Sequence, residues 1–107
     1  MSNATRVIDF KDIDGLVYTG RDRGERLRSE FKLDELDAAG DMVEVDIPDN
    51  AYTISSSFFL GLFGPSVVGA GSKEAFLRRY HFKAPEFLSE VMDTYVSRAL
   101  QSRNLFA

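Results

Sequence analysis

The chain has 107 residues, with 13 basic and 17 acidic side chains for a formal charge of −4, which leaves room for one small domain and excludes a multidomain assembly. Hydrophobic residues at 44% and charged residues at 28% exclude the apolar-poor composition of intrinsic disorder. The absence of Cys excludes a disulfide framework, a thiolate metal site and a cysteine nucleophile, while nine Phe and four Tyr supply the material of a core.

Thr5 to Phe10 alternates polar and apolar residues, Asp14-Gly15 has turn chemistry, and Leu16-Val17-Tyr18-Thr19 is again apolar, so a strand pair is expected here. Met1 to Phe10 lacks the apolar stretch of a secretory signal, which makes the cytoplasm the expected location; Ser2-Asn3-Ala4 resembles a cloning remnant. From Gly20 the chain turns charged and helical, with Leu27 and Phe31 four apart on one face. Gly24 in its first turns costs roughly 1 kcal/mol relative to Ala, so either the helix begins after it or backbone closeness matters there. Leu33, Leu36 and Ala38-Ala39 extend this helix or form a second short piece, and Gly40 is a natural left-handed stop.

Met42 to Ile47 alternates strictly and reads as a strand ended by Pro48. Ala51 to Ile54 then bridges to three serines at the start of a helix through Phe58 to Phe63, which Gly64-Pro65 is expected to break or kink. Ser72 can cap a short helix over Lys73 to Arg79, Tyr80 to Lys83 alternates as a short strand, and Pro85 closes it. Leu88, Val91, Met92, Tyr95, Val96 and Leu100 make an apolar stripe for a last helix, opened by Pro85 or Glu86 and ending near Ser102. This order predicts a single α/β domain over residues 1–107, with a central mixed sheet of about four strands covered by helices.

Residues 1–50 carry 7 basic and 13 acidic groups and residues 51–107 carry 6 and 4, for charges of −6 and +2. Seven carboxylates and no cation lie between Asp34 and Asp49, a field that repels phosphate backbones, so no nucleic-acid partner is expected. Asn50 to Ser72 holds no charge, but its apolar centre is shorter than the roughly 20 residues of a spanning helix and is interrupted by Pro65 and four glycines, so no membrane partner is expected either.

Val43 to Phe63, VEVDIPDNAYTISSSFFLGLF, places a hydrophobic strand, a polar turn and a serine cluster before a helix. In this the chain resembles the STAS fold of anti-sigma-factor antagonists. Over Gly20 to Leu100 it is similar to the STAS-like bacterial family of unknown function, through Gly20-Arg21, Gly24 and Leu27, the strand, Ser56-Ser57-Phe58 with Leu62 and Gly64, Phe76 to Phe82 and the final helix. Antagonists carry an aspartate before the paired serines and a glycine after them, where this chain has Ser55 and Phe58. The resemblance implies a noncatalytic regulatory module, phosphorylated at Ser57 or Ser56 by a kinase-like ATPase partner or bound by another regulator. Its implied partner face is Tyr52, Thr53, Ser55, Ser56, Ser57, Phe58 and Phe59, with Arg21 from the preceding helix. On physical grounds the serines can simply cap the helix; a phosphate there would also meet free amides and a favourable helix dipole.

Other constellations are thin. His81 is the single histidine, and Ser57, His81 and Asp46 lack the G-x-S-x-G elbow of a hydrolase, so no catalytic residue is assigned. No metal ligand set and no cofactor are expected. GPSVVGAGSK, Gly64 to Lys73, resembles a phosphate-binding loop without its G-K pair and supplies the alternative of a small nucleotide-binding protein or enzyme. Arg21, Arg23, Arg26 and Arg28 interleave with carboxylates, as in ordinary surface pairing. A third alternative is a structural protein that self-associates through exposed Phe, which leaves a homo-oligomer open.

Overall fold

The computed structural model describes residues 5–13 and 15–106, with side chains to residue 101. Among the described residues five strands and five α-helices follow in the order β1 (Thr5–Asp9), β2 (Val17–Tyr18), α1 (Arg21–Glu30), α2 (Leu33–Ala39), β3 (Met42–Asp46), β4 (Thr53–Ile54), α3 (Ser56–Ala70), α4 (Lys73–Arg79), β5 (Tyr80–Lys83) and α5 (Glu86–Phe106). The α/β architecture is as expected, but the sheet is not. β1, β3 and β5 form a three-stranded sheet with β3 central and every pairing parallel, and β2 and β4 form a separate parallel pair. The mixed four-stranded sheet is therefore replaced by two smaller parallel ones.

The strand pair expected at the start does not form. β1 ends in a 3-10 turn over Phe10–Asp12, in which the Asp9 carboxylate accepts from Lys11 N at 2.9 Å. This turn carries the chain away from β1, so β2 pairs with β4 instead. Gly15 of the expected Asp14-Gly15 turn has a positive φ of 84°; Asp14 and Ser2-Asn3-Ala4 lie outside the described residues.

Helix ends follow local chemistry. Gly40 adopts the left-handed conformation, φ 73°, and closes α2. Ser55 and Ser72 accept the amides of Phe58 and Ala75 at 3.1 Å and cap α3 and α4. Of the break or kink expected at Gly64-Pro65, the break does not occur: the helix runs through Pro65 to Ala70. The usual clash of a proline ring with the preceding side chain is absent because residue 64 is glycine, and the ring sits on the exposed side. Nor does α5 stop at Ser102; no Gly or Pro follows it, and it continues to Phe106.

The core lies on one face of the main sheet. Val43 and Val45 of β3 are 1% and 0% exposed, whereas Met42, Glu44 and Asp46 between them are only half-buried. α3 lies over the inner face, its Phe59 and Phe63 rings 6.4 and 5.2 Å from Phe82 and Phe63 5.8 Å from Tyr80. α5 flanks α3 through Leu88, Met92 and Val96, and α1 packs on α3 from behind. That packing depends on two glycines. A Cβ on Gly24 would stand 2.4 Å from the Phe58 carbonyl oxygen, and one on Gly61 would stand 2.5 Å from the Arg21 carbonyl oxygen. Backbone closeness is thus the reason for glycine at position 24, which lies inside α1 rather than before it.

Candidate functional site

The serine cluster lies at the amino end of α3, where β4 leads into the helix. Ser55 is the capping residue, with extended backbone, and its hydroxyl and carbonyl accept from Phe58 N and Phe59 N. Ser56 and Ser57 occupy the first two helical positions, whose amides have no acceptor within the helix. No carboxylate lies in the first turn of α3, so the positive end of the helix dipole is not compensated by a side chain of that turn. Ser56 is half-buried and Ser57 exposed.

The structure divides the expected partner face in two. Tyr52 is 74% exposed, and Thr53, Ser57 and Arg21 are also exposed. Phe58 and Phe59 are 0% exposed and do not belong to a surface. Phe58 packs edge-on to Phe10 and beside Tyr18, at ring separations of 6.2 and 5.8 Å; Phe59 meets Phe63 and Tyr95 at 5.2 and 5.6 Å. The physical reason is orientation: Ser57 and Phe58 are about 100° apart around the helix, so a solvent-facing serine turns its successor inward. The two phenylalanines fix the first turn to the core, and the hydroxyl stands on that rigid support.

Ser57 shares a helical face with Leu60, Gly61 and Gly64. These three residues floor a groove of about 640 Å³ that is also walled by Arg21, Glu25 and Arg28 of α1. The backbone contact between Arg21 and Gly61 brings the start of α1 within one helical turn of Ser57. Nearby, Arg23 donates to the Val17 carbonyl at 3.1 Å and lies 6.0 and 5.9 Å from the centres of the Tyr18 and Phe58 rings, tying β2 to α1.

Arg28 is the second departure. Surface pairing was expected, yet it is 8% exposed and organises a polar cluster under α3. Its guanidinium donates to the Leu62 carbonyl at 2.9 Å, to Ser66 Oγ at 2.8 Å, to Asp34 Oδ1 at 2.6 Å and to Asp37 Oδ2 at 3.1 Å. Ser66 Oγ and Tyr80 OH donate to the two Asp37 oxygens at 2.5 and 2.6 Å, and Arg79 approaches at 3.3 Å. Burial alone would raise the Asp37 carboxyl; the hydrogen bonds from Ser66, Tyr80 and Arg28 outweigh it and hold the carboxyl below its ordinary range. Burial first, and the Asp37 charge with it, push the Tyr80 phenol well above its own. The cluster joins α1, α2, α3 and β5 with its polar groups satisfied. It was missed because an Arg on a charged helix gives no sign of burial in sequence.

A third polar group lines the carboxyl ends of the parallel strands, where Asp9, Asp46 and Lys83 stand in register. Asp46 Oδ1 is enclosed without a hydrogen-bond partner, and burial followed by neighbouring Glu44 raises its carboxyl. Among the described residues no group of three or more His, Cys, Asp or Glu is placed to hold a metal ion. His81 points to the open face of the sheet, its Nε2 3.0 Å from the Arg78 carbonyl, while Ser57 stands on the helical side; the structure does not bring them together. The Gly64 to Lys73 segment, which resembles a phosphate-binding loop in sequence, is helical up to Ala70 and turns at Gly71 into α4. Among the described residues no helix is long and apolar enough to cross a membrane. No family model, curated protein or solved structure matches the chain.

Proposed function

We propose that the chain is a noncatalytic regulatory interaction module of STAS-like type, acting in the cytoplasm, whose partner binds the open side of the α3 amino terminus and is released by phosphorylation of Ser57. The partner class is a kinase-like ATPase or a regulator that it controls. One observation carries the reading: an exposed hydroxyl on the first turn of a 15-residue helix, held in place by two wholly buried phenylalanines directly after it. A kinase needs access to the hydroxyl, and a switch needs a fixed surface for the added charge to change. Ser57 meets both conditions, and half-buried Ser56 meets the first less well.

A phosphoryl group on Ser57 adds roughly −1.5 to −2 charges at the amide end of a helix whose first turn holds no carboxylate, beside exposed Arg21. It would be stabilised by its own helix while placing charge and bulk against any partner seated on Tyr52 and Thr53. Capture from host lysate tests the proposal, with wild-type protein compared with Ser57→Glu and Tyr52→Ala. A partner held by the wild type and lost by both variants, with unchanged circular dichroism, is the expected outcome. Identical captured sets from all three would refute it.

A further inference from the structure

A cleft on another part of the surface opens along β5. It encloses about 350 Å³ between Leu77 of α4, Tyr80, His81 and Phe82 of β5, and Ser89, Met92, Asp93 and Val96 of α5, with Phe59 as its floor. His81 and Phe82 point to opposite faces of the sheet, so a cavity bordered by both lies at the edge of the strand. β5 is an edge strand. The bond from Ile47 N to the Lys83 carbonyl at 2.8 Å fixes which peptide groups serve the sheet. His81 and Lys83 turn theirs toward β3, and alternation turns the Phe82 N–H and C=O outward, beside the cavity.

The α5 wall contributes Asp93 to the cleft, and the helix carries further carboxylates just outside the lining. Glu86, Glu90 and Asp93 recur at four- and three-residue intervals and form one stripe, of which Asp93 borders the cleft. Asp93 pairs with Lys73 at 2.9 Å, whereas neither Glu86 nor Glu90 is ion-paired with a described residue.

We infer that this cleft receives an extended peptide that adds a strand to β5, places one apolar side chain in the cavity and sets a Lys or Arg against Glu86 and Glu90. Backbone pairing through Phe82 supplies the main-chain contacts, the cavity selects an apolar anchor, and the carboxylates select the flanking charge. A cavity of this volume lies at the lower end of the range of small-ligand sites and has room for a large apolar side chain. The site is separate from Ser57, and the Ser57→Glu variant should bind the peptide as the wild type does.

Selection of phage-displayed random heptapeptides on the intact protein tests the inference. Enriched sequences should share an apolar residue with Lys or Arg within two positions. A synthetic copy of the best one should bind Ser89→Phe, whose ring fills the cavity, at least about tenfold more weakly. N-methylation of the peptide amide that pairs with Phe82 should weaken binding to a similar degree, independently of any effect of substitution on folding. Glu86→Lys combined with Glu90→Lys should remove the preference for basic flanks. The inference is overturned if no sequence is enriched, if the N-methylated peptide binds unchanged, or if the chain sediments as a dimer that Ser89→Phe splits, which would put a second copy in the cleft.

Discussion

Alanine at Gly24 or Gly61 should unseat α1 from α3. At Gly24 the new Cβ would lie 2.4 Å from the Phe58 carbonyl oxygen and 2.9 Å from Leu62 N; at Gly61 it would lie 2.5 Å from the Arg21 carbonyl oxygen and 3.1 Å from Glu25 N. These are backbone atoms, which cannot rotate aside as a side chain can. A relaxed carbon–oxygen contact is about 3.3 Å, so the two helices must part by roughly 1 Å. A gap of that size forfeits a quarter to a half of the dispersion energy along the crossing, and overpacking of this kind costs about 1–3 kcal/mol, sometimes more. Alanine returns roughly 1 kcal/mol through helix propensity. Taken at the upper end of that range because backbone meets backbone, the net expectation is a loss of about 1–2 kcal/mol for either variant, a fall in Tm of about 4–16 °C for a domain of this size. Gly69, in the same α3, is the control: a Cβ there meets nothing within 4 Å, so Gly69→Ala should stabilise by up to about 1 kcal/mol. Urea titration followed by circular dichroism measures all three. A Gly24→Ala or Gly61→Ala variant as stable as Gly69→Ala would refute the reasoning.

Ser55→Ala should cost about 1 kcal/mol of stability through loss of the cap, whereas Ser57→Ala should be within about 0.5 kcal/mol of wild type; chemical denaturation separates them. Phe58→Ala and Phe59→Ala should each cost about 3–5 kcal/mol, so any loss of partner binding in these variants should track unfolding seen by calorimetry. Because the folded Asp37 carboxyl lies below its unfolded value, its contribution is present above the unfolded pKa and lost as pH falls through the folded one. Stability measured against pH should therefore fall below about pH 4, and Asp37→Asn should flatten that limb while lowering stability at neutral pH. Asp46 has the opposite sign: its raised carboxyl favours folding below the unfolded pKa and loses that contribution as pH rises, so Asp46→Asn should raise the thermal midpoint at pH 7.

Local chemistry made much of the fold legible. Strict alternation marked β3, the serines at 55 and 72 marked two helix starts, and Gly40 marked a stop, because each of these depends on residues within one turn of the chain. Sheet order was not legible: β1 could pair with its neighbour in sequence or with β3, and only the 3-10 turn after Asp9 directs it to β3. Gly64 hid the continuity of α3, since Gly-Pro normally signals a break. In the candidate site, the serine positions were readable from the cap, but the inward direction of Phe58 and Phe59 depends on which face the sheet claims. Arg28 was opaque for the same reason, as its partners lie up to 38 residues away.

Peptide mapping by mass spectrometry of the protein isolated from its native host tests the central proposal most directly. A phosphoryl group is expected on the fragment containing Ser57, localised to that hydroxyl and present in part of the population. A Ser57 that stays unmodified under every growth condition, or a phosphoryl group carried elsewhere on the chain, would contradict it.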